Sequence, residues 1–338
     1  MKTTTDIFAT LSASPSAFLR RKEVWRHWKW PAFVYLLFLA SCTLEYEMRT
    51  CPYNVLIHYV TSDGRGFATG DYPVEDFRQF VYTEDSVLVG EFPGDSCEAG
   101  VGMLTLPPGT YRLVVWGNAP GGSCRMEEIN PHGSRMEDGR LHALSYGGKE
   151  ASAEYANVGR LYYGTATFKV SKYGVNELTV GLMHAHARLN LTVEWKDDIP
   201  AEVRSARSPV MRLRGLHTAY HFCGGETWGD YTFPKQDTGV PLSAYRAAAV
   251  IESGFQVKAS FVTLRLTDGS RLVLELTEQG EGLMKEIDLS RYFDVMGIGL
   301  SRNICQEFDL TVRIGKDQTL IMQTHPSGWQ EGGSIGAN

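Results

Sequence analysis

Beyond residue 53, apolar and polar positions alternate with a period of two through most of the chain, the pattern of half-buried β-strands. Asn54 to Val60 (NVLIHYV), β-branched and aromatic, predicts the first strand. A glycine-rich turn region, Asp63 to Gly70, follows it. Phe77 to Thr83 and Ser86 to Phe92 predict two strands around a Thr83-Glu84-Asp85 turn. The most readable segment is Met103 to Gly117, MLTLPPGTYRLVVWG. Its Leu106-Pro107-Pro108-Gly109 suits a type II turn, with Pro108 fixing φ at the second position and Gly109 supplying a positive φ at the third. In the strand that leaves this turn, Tyr111, Leu113 and Val115 face one layer, and Arg112, Val114 and Trp116 face the other. Residues 118–150 are polar, contain Gly, Pro and Ser, and show little periodicity; they are expected to form a long excursion loop.

Leu161 to Val170 and Asn176 to Gly181 predict a hairpin turning near Lys172 to Gly174. In Ala187 to Trp195 the residues Leu189, Leu191, Val193 and Trp195 share one face, and Asn190, Thr192 and Glu194 the other, as in a half-buried antiparallel strand. Asp197 to Pro209 (DDIPAEVRSARSP) is charged and proline-bounded and reads as a domain boundary. Phe261 to Leu276 reads as a hairpin turning at Asp268-Gly269, with Val262, Leu264 and Leu266 on one arm and Leu272, Leu274 and Leu276 on the other. Phe308, Leu310, Val312 and Ile314 repeat the alternation, and Thr319 to Met322 pairs back across Gly315 to Gln318. No long 3.6-residue period occurs after Cys42. The predicted fold class is all-β: two tandem antiparallel β-sandwiches, residues 54–196 and 210–330, joined by a linker at 197–209 and followed by a tail at 331–338.

The exception to the strand pattern is N-terminal. The apolar run from Ala32 to Leu39 is about half the ~20 residues that a membrane-spanning helix needs. Basic residues before it and small ones after it fit a signal h-region. The run ends in Leu39-Ala40-Ser41-Cys42, which reads as a lipobox: small residues stand beside the cut, and the cysteine thiol takes the diacylglycerol. Residues 1–41 are then a signal peptide, Cys42 the lipidated residue and 42–53 a short leader, and the rest of the chain hangs from a lipid anchor.

Charge sharpens this reading. Residues 1–41 hold six basic and two acidic groups, so the remaining 27 basic and 37 acidic residues leave about −10 beyond them. That balance excludes a nucleic-acid partner, whose phosphates demand a basic face. Lipidation of Cys42 leaves Cys51, Cys97, Cys124, Cys223 and Cys305, an odd count without CxxC spacing, so a structural zinc site is not expected and pairing is left open.

Few residues announce chemistry. His184 and His186 form an H-x-H pair that a strand would put on one face, but the sequence offers no third ligand, so neither metal nor cofactor is expected. His221 and Cys223, followed by two glycines, invite a Cys/His dyad but mark a loop more simply. No GxSxG, HExxH or P-loop occurs, and no enzyme activity or small-molecule ligand is expected. Trp228, Tyr231, Trp329 and the Tyr162-Tyr163 pair could build a glycan platform, the alternative being sandwich packing.

Taken in order, Cys42, Cys51-Pro52 leading into NVLIHYV, FVYTEDSVLVGEF and LPPGTYRLVVWGN resemble the FimB/Mfa-type fimbrial anchor lipoproteins of Bacteroidales-type (type V) fimbriae. HARLNLTVEW, FVTLRLTDGSRLVLEL, DLTVRIG and HPSGWQEGG extend the likeness over most of residues 42–333. Thr83-Glu84 departs from the Phe-Asp usual in that family. The resemblance implies two transthyretin-like Greek-key sandwiches and a lipid anchor in the outer membrane, facing the cell surface. It also implies a structural role at the fimbrial base, holding the shaft and able to limit its length, with contact to fimbrial shaft or tail subunits through β-strands. It implies no catalysis and no cofactor.

Overall fold

The computed structural model describes residues 53–61, 74, 76–93, 100–119, 123–127, 129–146, 154–196, 209–229, 231–253, 255–268, 270–278, 283–315 and 320–326. Residues 1–52 lie outside these, and every described strand belongs to the second unit, from Tyr53 onward.

The first half of this second unit opens with β1 (Val55–Thr61), β2 (Phe77–Thr83), β3 (Leu88–Pro93), β4 (Val101–Leu104) and β5 (Gly109–Gly117). Four short strands follow: β6 (Cys124–Met126), β7 (Arg140–Ala143), β8 (Ser145–Tyr146) and β9 (Glu154–Tyr155). The longer β10 (Tyr162–Val170) and β11 (Asn176–His184) come next. The first sheet runs β3-β2-β5-β10-β11-β1-β4. Its β10 and β11 pair only at Tyr162↔His184 and Tyr163↔Met183, so the sheet turns there into two layers. Gly164 permits the close approach, since a Cβ at that position would lie 2.8 Å from the Gly181 carbonyl oxygen. Val55, Ile57, Leu113, Val115, Val180 and Leu182 fill the space between the layers.

Asn54 fixes the start of β1. Its side chain donates to the Leu106 carbonyl at 2.7 Å and accepts from the Leu106 N–H at 3.0 Å. Its backbone carbonyl accepts from the Asn176 N–H at 2.9 Å.

The second half contributes β12 (His186–Trp195), β13 (Pro209–Leu216), β14 (Ala219–Trp228), β15 (Tyr231–Gln236), β16 (Ser243–Ala248), β17 (Val250–Ser253) and β18 (Gln256–Leu264). After these come β19 (Val273–Glu278), β20 (Leu283–Asp288), the short helix α1 (Ser290–Val295), β21 (Gln306–Ile314) and β22 (Leu320–Pro326). Three sheets result: β17-β18-β12-β21-β22, β20-β19-β13-β16-β9-β8 and β15-β14-β7-β6. Leu189, Leu191 and Val193 of β12 and Phe308, Leu310 and Val312 of β21 join Leu213, Leu274 and Leu276 from the six-stranded sheet in one core.

The all-β sandwich class holds, with several departures in detail. β12, expected to close the first domain, lies inside a sheet of the second, between β18 and β21. The chain passes from the first sheet into this one at Ala185, between β11 and β12. The charged segment 197–208 lies outside the described residues. The ladders are not all antiparallel: β1 runs parallel to β11, β12 to β21, and β16 to β9.

The predicted Phe261–Leu276 hairpin is an arch instead. β18 pairs with β12 and β17, while β19 pairs with β13 and β20 in another sheet. Leu266 and Leu272, read as strand positions, are buried in the connection. Asp268 spends its carboxylate on the Leu300 N–H at 2.7 Å and the Ser301 N–H at 3.3 Å, so it does not turn a hairpin. The excursion at 118–150 holds β6, β7 and β8, which with β9 build onto β14 and β16; strands of two to four residues are too short to show a period. Gly109 does not take a positive φ. It gives room to the Tyr111 ring, 3.3 Å from where a Cβ would stand, and the Tyr111 hydroxyl donates to the Pro107 carbonyl at 2.9 Å.

β5 joins the two halves. Leu113 and Val115 face the first core, while Val114 and Trp116 face the second. Trp116 is fully buried; its ring lies 4.7 Å from Tyr163, 5.7 Å from Tyr220 and 5.9 Å from Phe222. Phe80 packs on Phe222 at 4.8 Å. The phenols are satisfied: Tyr163 Oη donates to the Phe222 carbonyl at 2.9 Å, and Tyr220 Oη to the Ala185 carbonyl at 2.8 Å. A shared core of this kind couples the sandwiches. Trp116→Ala is expected to cost about 3–5 kcal/mol and to leave one cooperative transition at lower denaturant, followed by circular dichroism and tryptophan fluorescence together. Two separated transitions in the wild type would show that the halves unfold independently.

Candidate functional site

Leu39, Ala40, Ser41 and Cys42 lie outside the described residues, as do Cys51, Cys97 and Trp329. No helix among the described residues is long and apolar enough to cross a membrane, which leaves strands that cross as a barrel aside.

The candidate glycan aromatics separate. Tyr162 and Tyr163 are core residues, each at most 1% exposed, because β10 is covered on both sides. Trp228 and Tyr231 are cross-strand partners at the turn of the β14–β15 ribbon, where Gly229 takes φ +56°. Tyr231 is half-buried, and its hydroxyl donates to the Thr61 carbonyl at 3.2 Å, so the ribbon reaches the end of β1. Gly224 lets the ribbon lie close; a Cβ there would come within 2.5 Å of Thr232. Two of the three aromatics proposed as a platform thus share one turn.

His221 and Cys223 do not form a dyad. His221 Nε2 lies 3.4 Å from Asp237, which also accepts from Arg140 Nε at 3.0 Å and from the Gly239 N–H at 2.9 Å. Burial pushes the Cys223 thiol up, the opposite of what a thiolate nucleophile needs. Beside this network opens a polar groove lined by Arg125, Glu127, His142, Tyr155, Thr218 and Ser243. His142 Nε2 meets Glu127 across it at 2.9 Å.

His184 and His186 straddle the boundary between the sandwiches, at the end of β11 and the start of β12. Ala185 between them donates its N–H to the Leu161 carbonyl at 2.8 Å. Both imidazoles are buried, at 3% and 0% exposure, and stacked with centroids 4.9 Å apart. Burial and nearby guanidinium groups push His184 down to about 4; burial, with His184 adjacent, pushes His186 well below its ordinary value. Both rings are therefore neutral near pH 7.

The pairing of β12 with β21 adds a partner that sequence reading missed. Glu307, only 4% exposed, has a carboxylate oxygen within 4.8 Å of a ring nitrogen of each histidine. A carboxylate just before the alternating run from Phe308 was the available signal, but 121 residues separate it from His186, and only the parallel register Arg188↔Glu307 brings it near.

Open sheet edges complete the inventory. Among the described residues β3 and β4 end the first sheet, and β17 and β22 end the five-stranded one. Exposed apolar side chains mark two of these edges, Met103 on β4 at 42% and Val250 on β17 at 59%. Such edges present unpaired backbone groups to another chain.

Residues 49–332 match the family of fimbrillin-A associated anchor proteins Mfa1 and Mfa2, and the chain belongs to that family. Among solved structures it is similar to a candidate polysaccharide-binding protein of Bacteroides thetaiotaomicron VPI-5482, at 14% identity over 81% of this chain and 96% of that one, with a TM-score of 0.61. A candidate adhesin of the same organism matches at 15% identity over 82% and 97%, TM-score 0.57. The fimbrial anchor protein Mfa2 of Porphyromonas gingivalis matches at 17% identity over 82% and 98%, TM-score 0.56. At such identities the likeness to these structures is one of fold. Among curated proteins, none matches the sequence.

The Asp237 network yields a pH prediction. Burial raises the carboxyl, but the Gly239 N–H, His221 and Arg140 outweigh it and hold Asp237 below its usual range. A carboxylate depressed in this way stabilises the fold above its unfolded pKa of about 3.9, and the stabilisation is lost as pH falls through the folded value. Asp237→Asn is expected to cost about 1–2 kcal/mol near pH 7, the pair being only partly buried. In urea midpoints the gap to wild type should narrow as pH falls below the ordinary carboxylate range; a gap independent of pH would exclude the charge as its source.

Proposed function

We propose that this chain is a lipid-tethered anchor at the base of a fimbrium, bound to the outer membrane through Cys42 and to fimbrial subunits through an open sheet edge. One observation carries the reading: the anchor-family match starts at residue 49, seven residues beyond a lipobox cysteine, and runs across both sandwiches. Thirteen residues separate Cys42 from Val55, a span of at most about 45 Å when fully extended. The tether would thus hold the first sandwich close to the membrane. Multiple acyl chains suit a permanent hold, since each buried CH₂ adds about 0.8 kcal/mol.

Strand addition at β4 or β17 is the contact that the exposed Met103 and Val250 support. Backbone hydrogen bonds would supply affinity and alternating side-chain pockets the choice of subunit. A shaft bound in this way is held, and its length can be limited, without catalysis.

A second reading, binding of a surface glycan at the Trp228–Tyr231 turn together with Trp329, has in its favour the cross-strand pairing of Trp228 with Tyr231 and the likeness to a candidate polysaccharide-binding protein.

Cys42→Ala is expected to abolish incorporation of labelled palmitate and to move the protein from the detergent phase of a membrane extract to the soluble fraction, with fimbriae shed into the medium. Fimbriae retained at normal number on cells carrying the variant would count against the anchor. A photo-crosslinking residue at Val250 or Met103 should capture a fimbrial subunit. Retention on a polysaccharide affinity gel that disappears with Trp228→Ala would favour the glycan reading instead.

A further inference from the structure

The buried polar cluster at the junction of the sandwiches contains atoms that the fold leaves without partners. His186 Nδ1 lies 2.8 Å from the Leu161 carbonyl oxygen, which can only accept, so that nitrogen carries the proton. Nε2 is then the lone-pair nitrogen, and it is buried with no hydrogen-bond partner. Glu307 Oε2 accepts from Arg188 Nη2 at 2.6 Å, whereas its Oε1 is buried and likewise without a partner. Two orphaned acceptors within one cluster call for a donor or a cation between them. Cys305 lies next to His184, outside the trio formed by His184, His186 and Glu307, with its Sγ 3.7 Å from His184 Nδ1.

We propose that His184, His186, Glu307 and Cys305 form a site for a zinc-type divalent ion. The ligand set is one that zinc accepts: two neutral imidazoles, a carboxylate oxygen and a thiolate. Tetrahedral bonds of about 2.0–2.3 Å place donors roughly 3.3–3.7 Å apart. The Cys305–His184 spacing is already of this size, and the His184, His186 and Glu307 donors, within 4.8 Å of one another, converge by small side-chain rotations. The Leu161 carbonyl on His186 Nδ1 and Arg188 on Glu307 are the outer partners that hold such ligands in orientation.

Charge sets the stoichiometry of protons. Arg188 Nη2 holds Glu307 Oε2 at 2.6 Å and leaves Oε1 to face the cluster, and Arg265, buried nearby, gives its N–H groups to the carbonyls of His184, Ile304 and Asn303. A dication is accommodated when Cys305 binds as thiolate, its proton leaving to solvent. The ligand shell then carries two negative charges against the ion's two positive ones.

The site would join the end of β11 and the start of β12 to the first residues of β21. It would act as a clasp where the chain passes from one sandwich to the other.

The full chain, purified in detergent and stripped with chelator, can be titrated with Co²⁺ and then Zn²⁺. Expected are one Co²⁺ per chain, visible bands of tetrahedral cobalt, a near-ultraviolet thiolate-to-cobalt band that disappears with Cys305→Ser, displacement by Zn²⁺, and a Zn²⁺-dependent rise in melting temperature. Glu307→Gln and His186→Asn should each weaken binding at least tenfold, while Glu307→Gln, which keeps the shape of the side chain, should melt close to wild type in chelator. Stoichiometric binding unchanged in Glu307→Gln, no binding above that of His186→Asn, or a cobalt complex without the thiolate band would each overturn the assignment.

Discussion

From Leu113 to Gly117, β5 has no solvent face. One row of its side chains closes the first sandwich, and the other, through Val114 and Trp116, is the floor of the core that the second sandwich shares. A strand of this kind cannot shift by one residue without exchanging the two cores, so its register constrains everything around it. It pairs with β2 on one side and β10 on the other, and the aromatic side chains that these strands turn outward meet Tyr220 and Phe222 of β14. The two sandwiches are therefore successive layers around one strand.

That arrangement explains which parts of the fold were legible. The opposed faces of Tyr111 to Trp116 could be read directly, as could the buried row of Leu189 to Trp195 and that of Phe308 to Ile314, because each strand is long enough for its period to emerge. Partnership was harder. β12 alternates as any half-buried strand does, and nothing local says that its neighbours are β18 and β21 rather than strands before it. Leu266 and Leu272 carried the right hydrophobicity but the wrong reason for it, since they fill the core from an arch. The strands of the excursion depend on edges supplied by β14 and β16, and hydrogen bonds to a distant partner leave no trace in composition.

The candidate chemistry divides in the same way. A lipobox, the signal expected at Leu39 to Cys42, would be read by an enzyme acting on an extended chain, so sequence is the level at which it can be sought. Glu307 came to the histidines only through a parallel ladder, and Tyr162 and Tyr163 left the surface for the same reason: their surroundings are tertiary.

The position of β1 bears on how a tether would be felt by the rest of the protein. β1 is an interior strand, paired in parallel with β11 and antiparallel with β4, and Asn54 locks its first residue to both Leu106 and Asn176. A pull arriving from the N-terminal side draws β1 along its own axis past both neighbours. The ladder bonds then bear load together, in shear, instead of parting one after another as they would in a peeled edge strand. Force entering along β1 would then meet this sandwich in shear rather than in peeling, the geometry in which many ladder bonds must yield at once.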